Sequence, residues 1–193
     1  MPFQIAAVIV MLTFYGCYVA KMLGQRRKGI QTDQLGKGKT GFVRWIEVSL
    51  SISSRLVVAA EAVSIIFNTS CFAPWVRIGG ICLAAAGVAV FVLSMMTMKD
   101  SWRAGVPESG KTALVTRGIY QISRNPAFLG FDLVYIGILL MFFNWVLFAV
   151  SVFAIVMLHL QIVNVEEDFL TKAFGNAYLD YKKKVCRYLG RKF

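Results

Sequence analysis

The sequence predicts an all-α polytopic membrane protein with five transmembrane helices. Of its 193 residues, 58% are hydrophobic and only 16% are charged, whereas soluble domains average roughly 45–50% apolar and about 25% charged residues. Long apolar windows recur along the chain, and the basic residues are concentrated between them. The composition therefore excludes an ordinary water-soluble domain, and its high hydrophobic content also excludes a disordered chain.

Windows of suitable length define the expected spans, because a membrane-crossing helix needs about 20 mainly apolar residues. The first three spans are expected within Met1–Ala20, Trp45–Phe67 and Ile78–Met98. Positive residues follow the first window rather than precede it, so a cleaved signal peptide is not expected. The uncharged stretch Leu133–Val165 is too long for one span. It predicts spans four and five, a tight C-terminal helical hairpin folded at Phe143–Trp145, with the first arm beginning near Pro126.

The second expected span differs from the others because it carries charged residues. On a helix, Glu47, Ser51, Ser54 and Glu61 fall within about 80° of one another, with Arg55 at the margin of this polar stripe. Charges at membrane depth are costly unless they face other helices or water. Two interpretations remain open: the stripe joins helices internally, or it lines a substrate or cofactor cavity.

The distribution of positive charge predicts the orientation of the chain. Cytoplasmic segments beside membrane helices are enriched in Lys and Arg. Lys21–Arg44 holds seven positive residues, Lys99–Arg124 five and Lys172–Lys192 seven, so 19 of the 21 fall on one face of a five-span protein. We expect an external amino terminus, a cytoplasmic carboxyl terminus and chemistry at the cytoplasmic face. The net charge of +11 then indicates membrane lipids as partners rather than nucleic acid.

Several motifs that are typical of other functions lack the context they require. The four cysteines form no C-x-x-C spacing and have no histidine at metal-ligand spacing, so neither a metal site nor a disulfide framework is expected. Residues 105–112 fit the phosphate-loop pattern and residues 36–41 fit G-x-G-x-x-G, but each pattern needs a strand before the glycines and a helix after them. No sheet is predicted, so we interpret both stretches as flexible basic loops.

Two blocks around the expected hairpin carry a more specific pattern. The first block, Leu114–Gly130, places Arg124–Pro126 at the mouth of the fourth span, where a proline can begin a helix. The second block starts with three carboxylates, Glu166–Asp168, at the end of the fifth span. A tail, Phe174–Val185, follows and is expected to form an amphipathic cytoplasmic helix.

These blocks resemble the isoprenylcysteine carboxyl methyltransferase family of small integral-membrane methyltransferases, over roughly residues 95–190. That family shows L-V-T-x-G-x-Y, then R-H-P-x-Y-x-G, then an acidic pair before F-G-x-x-Y-x-x-Y. The matching residues, in order, are Leu114, Val115, Thr116, Gly118, Tyr120, Arg124, Pro126, Gly130, Glu166, Glu167, Phe174, Gly175, Tyr178 and Tyr181. Asn125 and Phe128 replace the family's His and Tyr. Val163 and Asn164 lie where members often carry an arginine that holds the substrate carboxylate.

The resemblance implies an enzyme that transfers a methyl group from S-adenosylmethionine to the α-carboxylate of a C-terminal prenylated cysteine. The products would be a methyl ester and S-adenosylhomocysteine. Arg124 and Glu167 are the implied catalytic residues. The implied cofactor-binding residues are Thr112, Ala113, Leu114, Val115, Tyr120, Arg124, Asn125, Pro126, Ala127, Phe128 and Glu167.

Other functions and one residue role remain open at this point. Val163 in place of the expected arginine leaves a phospholipid amine or another lipid as an alternative acceptor, and the polar stripe leaves a non-enzymatic or transport protein. Arg44, Arg55 and Arg103 are the candidates for the cation that binds the substrate carboxylate.

The resulting domain prediction is a single integral-membrane domain, residues 1–193. Residues 1–98 hold three spans, and residues 99–193 hold the cofactor-binding loop, the hairpin and the tail. The central expectation is that the start of the fourth span and the end of the fifth converge around a cofactor, beside an opening into lipid.

Overall fold

The computed structural model describes residues 1–106 and 113–191, and within these residues it contains helices but no β-strand. The α-helices of this part are α1 Pro2–Arg27, α2 Gly41–Ile66, α3 Pro74–Met98, α4 Pro126–Met141, α5 Trp145–Gln161, α6 Glu167–Phe174 and α7 Asn176–Lys184. Two 3₁₀ turns, Lys99–Ser101 and Gly118–Gln121, and a π-helical segment, Ile162–Glu166, connect them. The all-α prediction is confirmed for the described residues.

Among the described residues, four helical segments are long and apolar enough to cross a membrane. They are Pro2–Arg27, Gly41–Ile66, Pro74–Ser101 and Trp145–Phe174. The apolar α4 has only 16 residues, which at 1.5 Å per residue is about 24 Å, shorter than a hydrocarbon core of roughly 30 Å. The long helices are those of an integral membrane protein, and the count of five crossings stays a prediction.

The helix starts follow from local sequence. Pro74 and Pro126 begin α3 and α4, where a missing N–H costs no helical hydrogen bond. Asn144 caps α5, because its side chain accepts a hydrogen bond from the Leu147 amide at 2.9 Å. The same side chain donates to the Ser64 hydroxyl at 2.7 Å. This cap therefore fixes the start of α5 against the end of α2.

The helix pairs that pack most extensively follow the chain order only in part. α4 lies along α3, α5 lies along α2, and α1 contacts α3. The α3–α4 approach is close because Gly80 faces Gly137 and Gly87 faces Gly130, and small residues allow helix backbones in membranes to come near one another. The connection between α4 and α5 is short, as predicted, but the main packing partners of these two helices are α3 and α2.

The polar stripe on α2 serves both of the roles that the sequence left open. Glu47 is fully buried and accepts hydrogen bonds from the Gly36 amide at 2.7 Å and from Gln161 at 3.2 Å. Glu61 is also fully buried and accepts from the Tyr15 hydroxyl at 3.1 Å. Glu47 thus joins α2 to the loop after α1 and to α5, and Glu61 joins α2 to α1. The remaining members of the stripe, Ser51, Ser54 and Arg55, line a cavity between the helices.

The three basic segments meet at one end of the helix bundle. The loop after α1 pairs with the loop after α3 through a parallel bridge between Asp33 and Ala104. The chain after α7 returns to the segment before α4, where the Gly190 amide donates to the Ile122 carbonyl at 2.7 Å. This clustering agrees with the charge distribution of the sequence, and the side of the membrane on which it lies stays a prediction.

The predicted tail helix, Phe174–Val185, corresponds to α7, Asn176–Lys184, which is shorter at its start. A glycine, Gly175, lies at φ +53° between α6 and α7 and separates them, since glycine adopts this left-handed region at little cost. Residues 167–174 continue the direction of the long fifth helical segment. Only α7 packs back as a separate element, and its buried Tyr178 and Tyr181 face the core.

Candidate active site

A cavity of about 400 Å³ lies between the helices, within the range of roughly 300–1,000 Å³ that is typical of small-molecule sites. α1, α2, α4 and α5 form the larger part of its wall, together with the loops that follow α1 and α3. Most of its wall is apolar, with aromatic side chains that include Tyr15, Tyr18 and Phe131. The cavity therefore combines an apolar interior with the polar loops at the basic end of the bundle.

Most of the predicted cofactor-binding residues meet at this cavity. The predicted residues in its wall are Ala113, Leu114, Val115, Tyr120, Arg124, Asn125, Ala127 and Phe128. Pro126 is buried at the start of α4 and is not a wall residue. Thr112 lies outside the described residues. Glu167 is not in the wall, whereas its neighbour Glu166 is.

Arg124 and Glu167, the two predicted catalytic residues, form a buried ion pair. Arg124 Nη2 lies 3.1 Å from Glu167 Oε1, and both side chains are almost inaccessible, at 4% and 6% exposure. Arg124 Nη1 also donates to the Tyr178 hydroxyl at 2.7 Å. The Glu167 carboxylate accepts further charge-assisted hydrogen bonds from Lys182 and Arg187, each at 2.7 Å. One carboxylate thus faces three cations.

This ion cluster docks the tail onto the mouth of α4. The Arg124 amide donates to the Cys186 carbonyl at 3.1 Å, and the Asn125 side chain donates to the Arg187 carbonyl at 3.1 Å. The hydrogen bond to Glu167 raises the pKa of Arg187, so this cation stays charged. In this arrangement the Glu167 carboxylate is directed to the tail rather than to the cavity.

Glu166 and Glu167 are adjacent and face different surroundings, since neighbouring residues on a helix point about 100° apart. The π-helical segment Ile162–Glu166, which precedes α6, determines which of the two faces the cavity. A π turn holds one more residue than an α turn, and each extra residue turns the following side chains by about 100°. Glu166 lies in the cavity wall, while Glu167 reaches the tail cations. π segments of this kind occur frequently at functional sites.

Two buried tyrosines fix the segment 118–121 beside the cavity. The hydroxyl of Tyr120 lies 2.7 Å from that of Ser94 on α3. The hydroxyl of Tyr181 donates to the Tyr120 carbonyl, and both tyrosines lie in the cavity wall. Burial raises the pKa of Tyr120 and of Tyr181, so both remain protonated donors at neutral pH. α3 and α7 therefore hold this wall from two sides.

The residues in the wall fit a polar, nucleoside-sized cofactor. Arg124 Nε and Gln161 Oε1 are buried and have no hydrogen-bond partner among the described residues, and both side chains line the cavity. Buried polar atoms are normally satisfied, so these two positions are suited to a polar ligand. In the same part of the chain, no three His, Cys, Asp or Glu side chains are grouped closely enough to hold a metal ion.

Several wall residues were not among the sequence predictions. They include Tyr15, Tyr18, Trp102, Gln161, Glu166, Leu170 and Tyr181. Tyr181 and Glu166 belong to the recognised motif, so the sequence did contain a pattern that could have identified them as site residues. Trp102 and Gln161 come from elements whose position depends on tertiary packing, and the sequence gives no comparable signal for these two.

Two curated relatives match parts of the chain, and both are named protein-S-isoprenylcysteine O-methyltransferase. The Saccharomyces cerevisiae protein is 35% identical over 72 residues, which are 37% of this chain and 30% of the relative. The Dictyostelium discoideum protein is 31% identical over 124 residues, which are 56% of this chain and 46% of the relative. The chain thus spans less than half the length of these relatives. The relationship predicted from the motif blocks is confirmed.

A family model described as phospholipid methyltransferase matches residues 75–177. This range begins in α3 and ends in α7, and it contains the wall segment 113–128 and both Glu166 and Glu167. The match covers more than half of the 193 residues. The chain therefore belongs to the phospholipid methyltransferase family.

Proposed function

We propose that this chain is an enzyme that transfers a methyl group from S-adenosylmethionine to the α-carboxylate of a C-terminal prenylated cysteine. The observation that carries the proposal is that eight of the predicted cofactor-binding residues line one cavity between apolar helices. The names of the two curated relatives agree with this acceptor. The product would be a neutral methyl ester.

The wall provides separate places for the parts of the cofactor. Residues 113–115 and Tyr120 would contact the adenosine end, and residues 124–128 the ribose and methionine. When bound, S-adenosylmethionine supplies a methyl group on a positively charged sulfur. A carboxylate nearby stabilises such a cation, and Glu166 is the glutamate of the acidic pair that lies in the wall. Glu167 would act by holding Arg124 in position.

The acceptor requires little acid–base chemistry from the protein. An α-carboxyl group has a pKa of about 3.5, so it is already ionised and needs no general base. The residues of the chain must instead hold the carboxylate oxygen in line with the transferred methyl group and exclude water. The apolar side chains Phe128, Phe131 and Leu158 in the wall suit the second task.

The proposed membrane arrangement has five crossings, with α4 as a short crossing and the basic loops in the cytoplasm. The clustering of the three basic segments at one end supports this orientation. A polar cofactor would then enter from the cytosol, while the prenyl chain of the acceptor stays in lipid. The reacting groups would meet at the interface between these two phases.

Filling the cavity is expected to weaken cofactor binding strongly. Ala113 lines the cavity and is exposed, so Ala113→Trp adds bulk there without disturbing the packed core. We expect the Kd for S-adenosylhomocysteine, measured by calorimetry in detergent, to rise at least tenfold. The matched control is Ala173→Trp on the exposed face of α6, outside the wall. Equal affinity in the two variants would contradict the proposed cofactor site.

The role of Glu166 can be tested through the charge of the ligand. S-adenosylmethionine carries a sulfonium cation, whereas S-adenosylhomocysteine has a neutral thioether. Glu166→Gln is expected to weaken binding of the cation about fivefold more than binding of the neutral product, since about 1 kcal/mol of ion attraction is lost. Calorimetry at pH 8 measures both affinities. Asp168→Asn, at an exposed position outside the wall, serves as control, and an equal loss for both ligands would count against this role.

A phospholipid amine is the second candidate acceptor. The description of the matching family model favours it, and so does Val163 in place of the arginine expected from the motif. Incubation with methyl-labelled S-adenosylmethionine, N-acetyl-S-farnesylcysteine and phosphatidylethanolamine vesicles separates the two acceptors. We expect label in the farnesylcysteine ester, and label confined to the phospholipid would replace the first acceptor by the second.

A further inference from the structure

Arg124 and Arg103, two of the arginines in the cavity wall, are already engaged within the protein. Arg124 forms a buried ion pair with Glu167. Arg103 donates through Nη1 to the backbone carbonyls of Asp100 and Trp102. The charge of Arg124 is therefore already balanced by a buried carboxylate, and Arg103 Nη1 is held by its own loop.

Arg55, a third arginine in the wall, has no such engagement. Its Nη2 donates to the Ser51 hydroxyl at 3.1 Å, and within residues 1–106 and 113–191 no carboxylate oxygen lies within 4.0 Å of it. A hydroxyl group does not neutralise a guanidinium. The charge of Arg55 is therefore uncompensated by the described part of the protein.

The depth of Arg55 makes this lack of compensation significant. It lies 14 residues after Gly41 and 11 before Ile66, the two ends of α2. At 1.5 Å per residue it is about 21 Å and about 17 Å from those ends. A charge at this depth in an apolar helix is costly and is normally associated with a substrate or ion pathway.

The wall formed by α2 gives Arg55 a defined orientation. Ser51, Ser54, Arg55 and Val58 all line the cavity, and their spacing of three, four and seven residues places them on one helix face. Ile52 and Leu56, which flank this face, are each 51% exposed apolar residues. Arg55 thus lies at the edge where the cavity wall meets the apolar outer surface of the bundle.

This edge is where a ligand with an apolar chain and an anionic head would pass from lipid into the cavity. Taking the proposed function as its basis, we propose that Arg55, assisted by Ser51, binds the anionic group of the lipid-tethered acceptor. Both candidate acceptors carry such a group, a carboxylate in prenylcysteine and a phosphate in a phospholipid. Methylation of the carboxylate removes its charge, so the ester would lose this contact and leave the site more readily.

The test compares two ligands that differ by one charge. N-acetyl-S-farnesylcysteine has a carboxylate, and N-acetyl-S-farnesylcysteamine has the same thioether and prenyl chain without it. We expect the wild-type protein in detergent to bind the carboxylate at least tenfold more tightly by calorimetry, and Arg55→Gln to reduce that preference to less than twofold. Arg55→Lys should restore part of it, since it restores the charge.

A control on the same helix separates binding from general charge effects. Arg44 is an exposed arginine of α2 outside the cavity wall, and Arg44→Gln is expected to keep the full preference for the carboxylate. The Kd for S-adenosylhomocysteine should change less than twofold in both glutamine variants, which shows that the cofactor site is intact. An Arg55 that only extends to lipid headgroups would leave both the tenfold preference and the affinity for lysophosphatidylethanolamine unchanged in Arg55→Gln, and that result overturns the proposal.

The same variants show which kind of anion binds at Arg55. They also separate a failure of the anion site from a failure of the proposed function. Dependence on Arg55 that is seen with lysophosphatidylethanolamine but not with farnesylcysteine supports the anion site and assigns it to a phosphate headgroup. Anion binding that depends on Arg55, together with no methyl product from the wild-type protein, supports the site and refutes the enzyme. Methyl transfer with an unchanged KM in Arg55→Gln would support the enzyme and refute the anion site.

Discussion

Replacing Glu167 by glutamine is expected to lower the free energy of unfolding by about 3–5 kcal/mol, the usual cost of removing one partner of a buried ion pair. Arg124, whose side chain is only 4% exposed, would lose its counterion. Lys182 and Arg187, which bind the same carboxylate, would no longer hold the tail against the mouth of α4. Unfolding by SDS in mixed micelles, followed by circular dichroism, measures this change.

A surface pair in the same tail provides the control. Asp180 and Lys183 form an ion pair whose side chains are 63% and 77% exposed, and such pairs contribute about 0–1 kcal/mol. Asp180→Asn is therefore expected to be nearly neutral. Replacing both Arg124 and Glu167 by Met should cost less than Glu167→Gln alone, because no buried charge is left unpaired. Similar losses of unfolding free energy in Glu167→Gln and Asp180→Asn would show that burial does not determine how strongly these ion pairs stabilise the protein.

The sequence predicts the helices and the meeting of the two motif blocks because both depend on local patterns. Apolar windows locate α1, α2 and α3 to within several residues, and Pro126 is the first residue of α4 as expected. The segment 113–128 and Glu166 then meet at one cavity, and Glu167 binds Arg124 beside it. This convergence requires only that α4 starts and the long fifth segment ends at the same end of the bundle.

The sequence does not predict which glutamate of the acidic pair faces the cavity. That choice depends on the π-helical segment Ile162–Glu166, which shifts the helix register just before Glu167. An α-helical pattern read through residues 162–166 gives no sign of this extra residue, since apolar side chains occupy most of it. The cations that bind Glu167 come from the tail, 15 and 20 residues further along the chain, and long-range docking of this kind has no local signature.

The pairing of the helices also depends on contacts that hydropathy does not describe. The long apolar run predicts that α4 and α5 are joined by a short turn, which they are. Which helices pack together depends instead on other contacts. Small residues allow α4 to approach α3, and Glu47 of α2 accepts a hydrogen bond from Gln161 of α5. Apolar windows identify spans well, but they do not distinguish a glycine face from a leucine face.

Gly80→Ala is expected to destabilise the protein by about 1–3 kcal/mol, the usual cost of overpacking a tight interface. An added Cβ at this position would lie 2.6 Å from the Gly137 carbonyl oxygen and 3.0 Å from Met141 Cγ. A backbone atom cannot rotate away as a flexible side chain can, so α3 and α4 must separate. Because α4 begins at Pro126, directly after Arg124 and Asn125 in the cavity wall, the same shift should weaken S-adenosylhomocysteine binding. SDS unfolding and calorimetry measure the two effects.

Gly79 offers a control one residue away on the same helix, since a Cβ added there meets no atom within 4 Å. Gly79→Ala is expected to be neutral or to stabilise α3 by up to about 1 kcal/mol, because alanine favours the helix more than glycine does. The same chemical change should thus have opposite signs at adjacent positions. If both variants were stabilised, helix propensity alone would govern α3, and the close approach of Gly80 to Gly137 would not be what positions α4 beside the cavity.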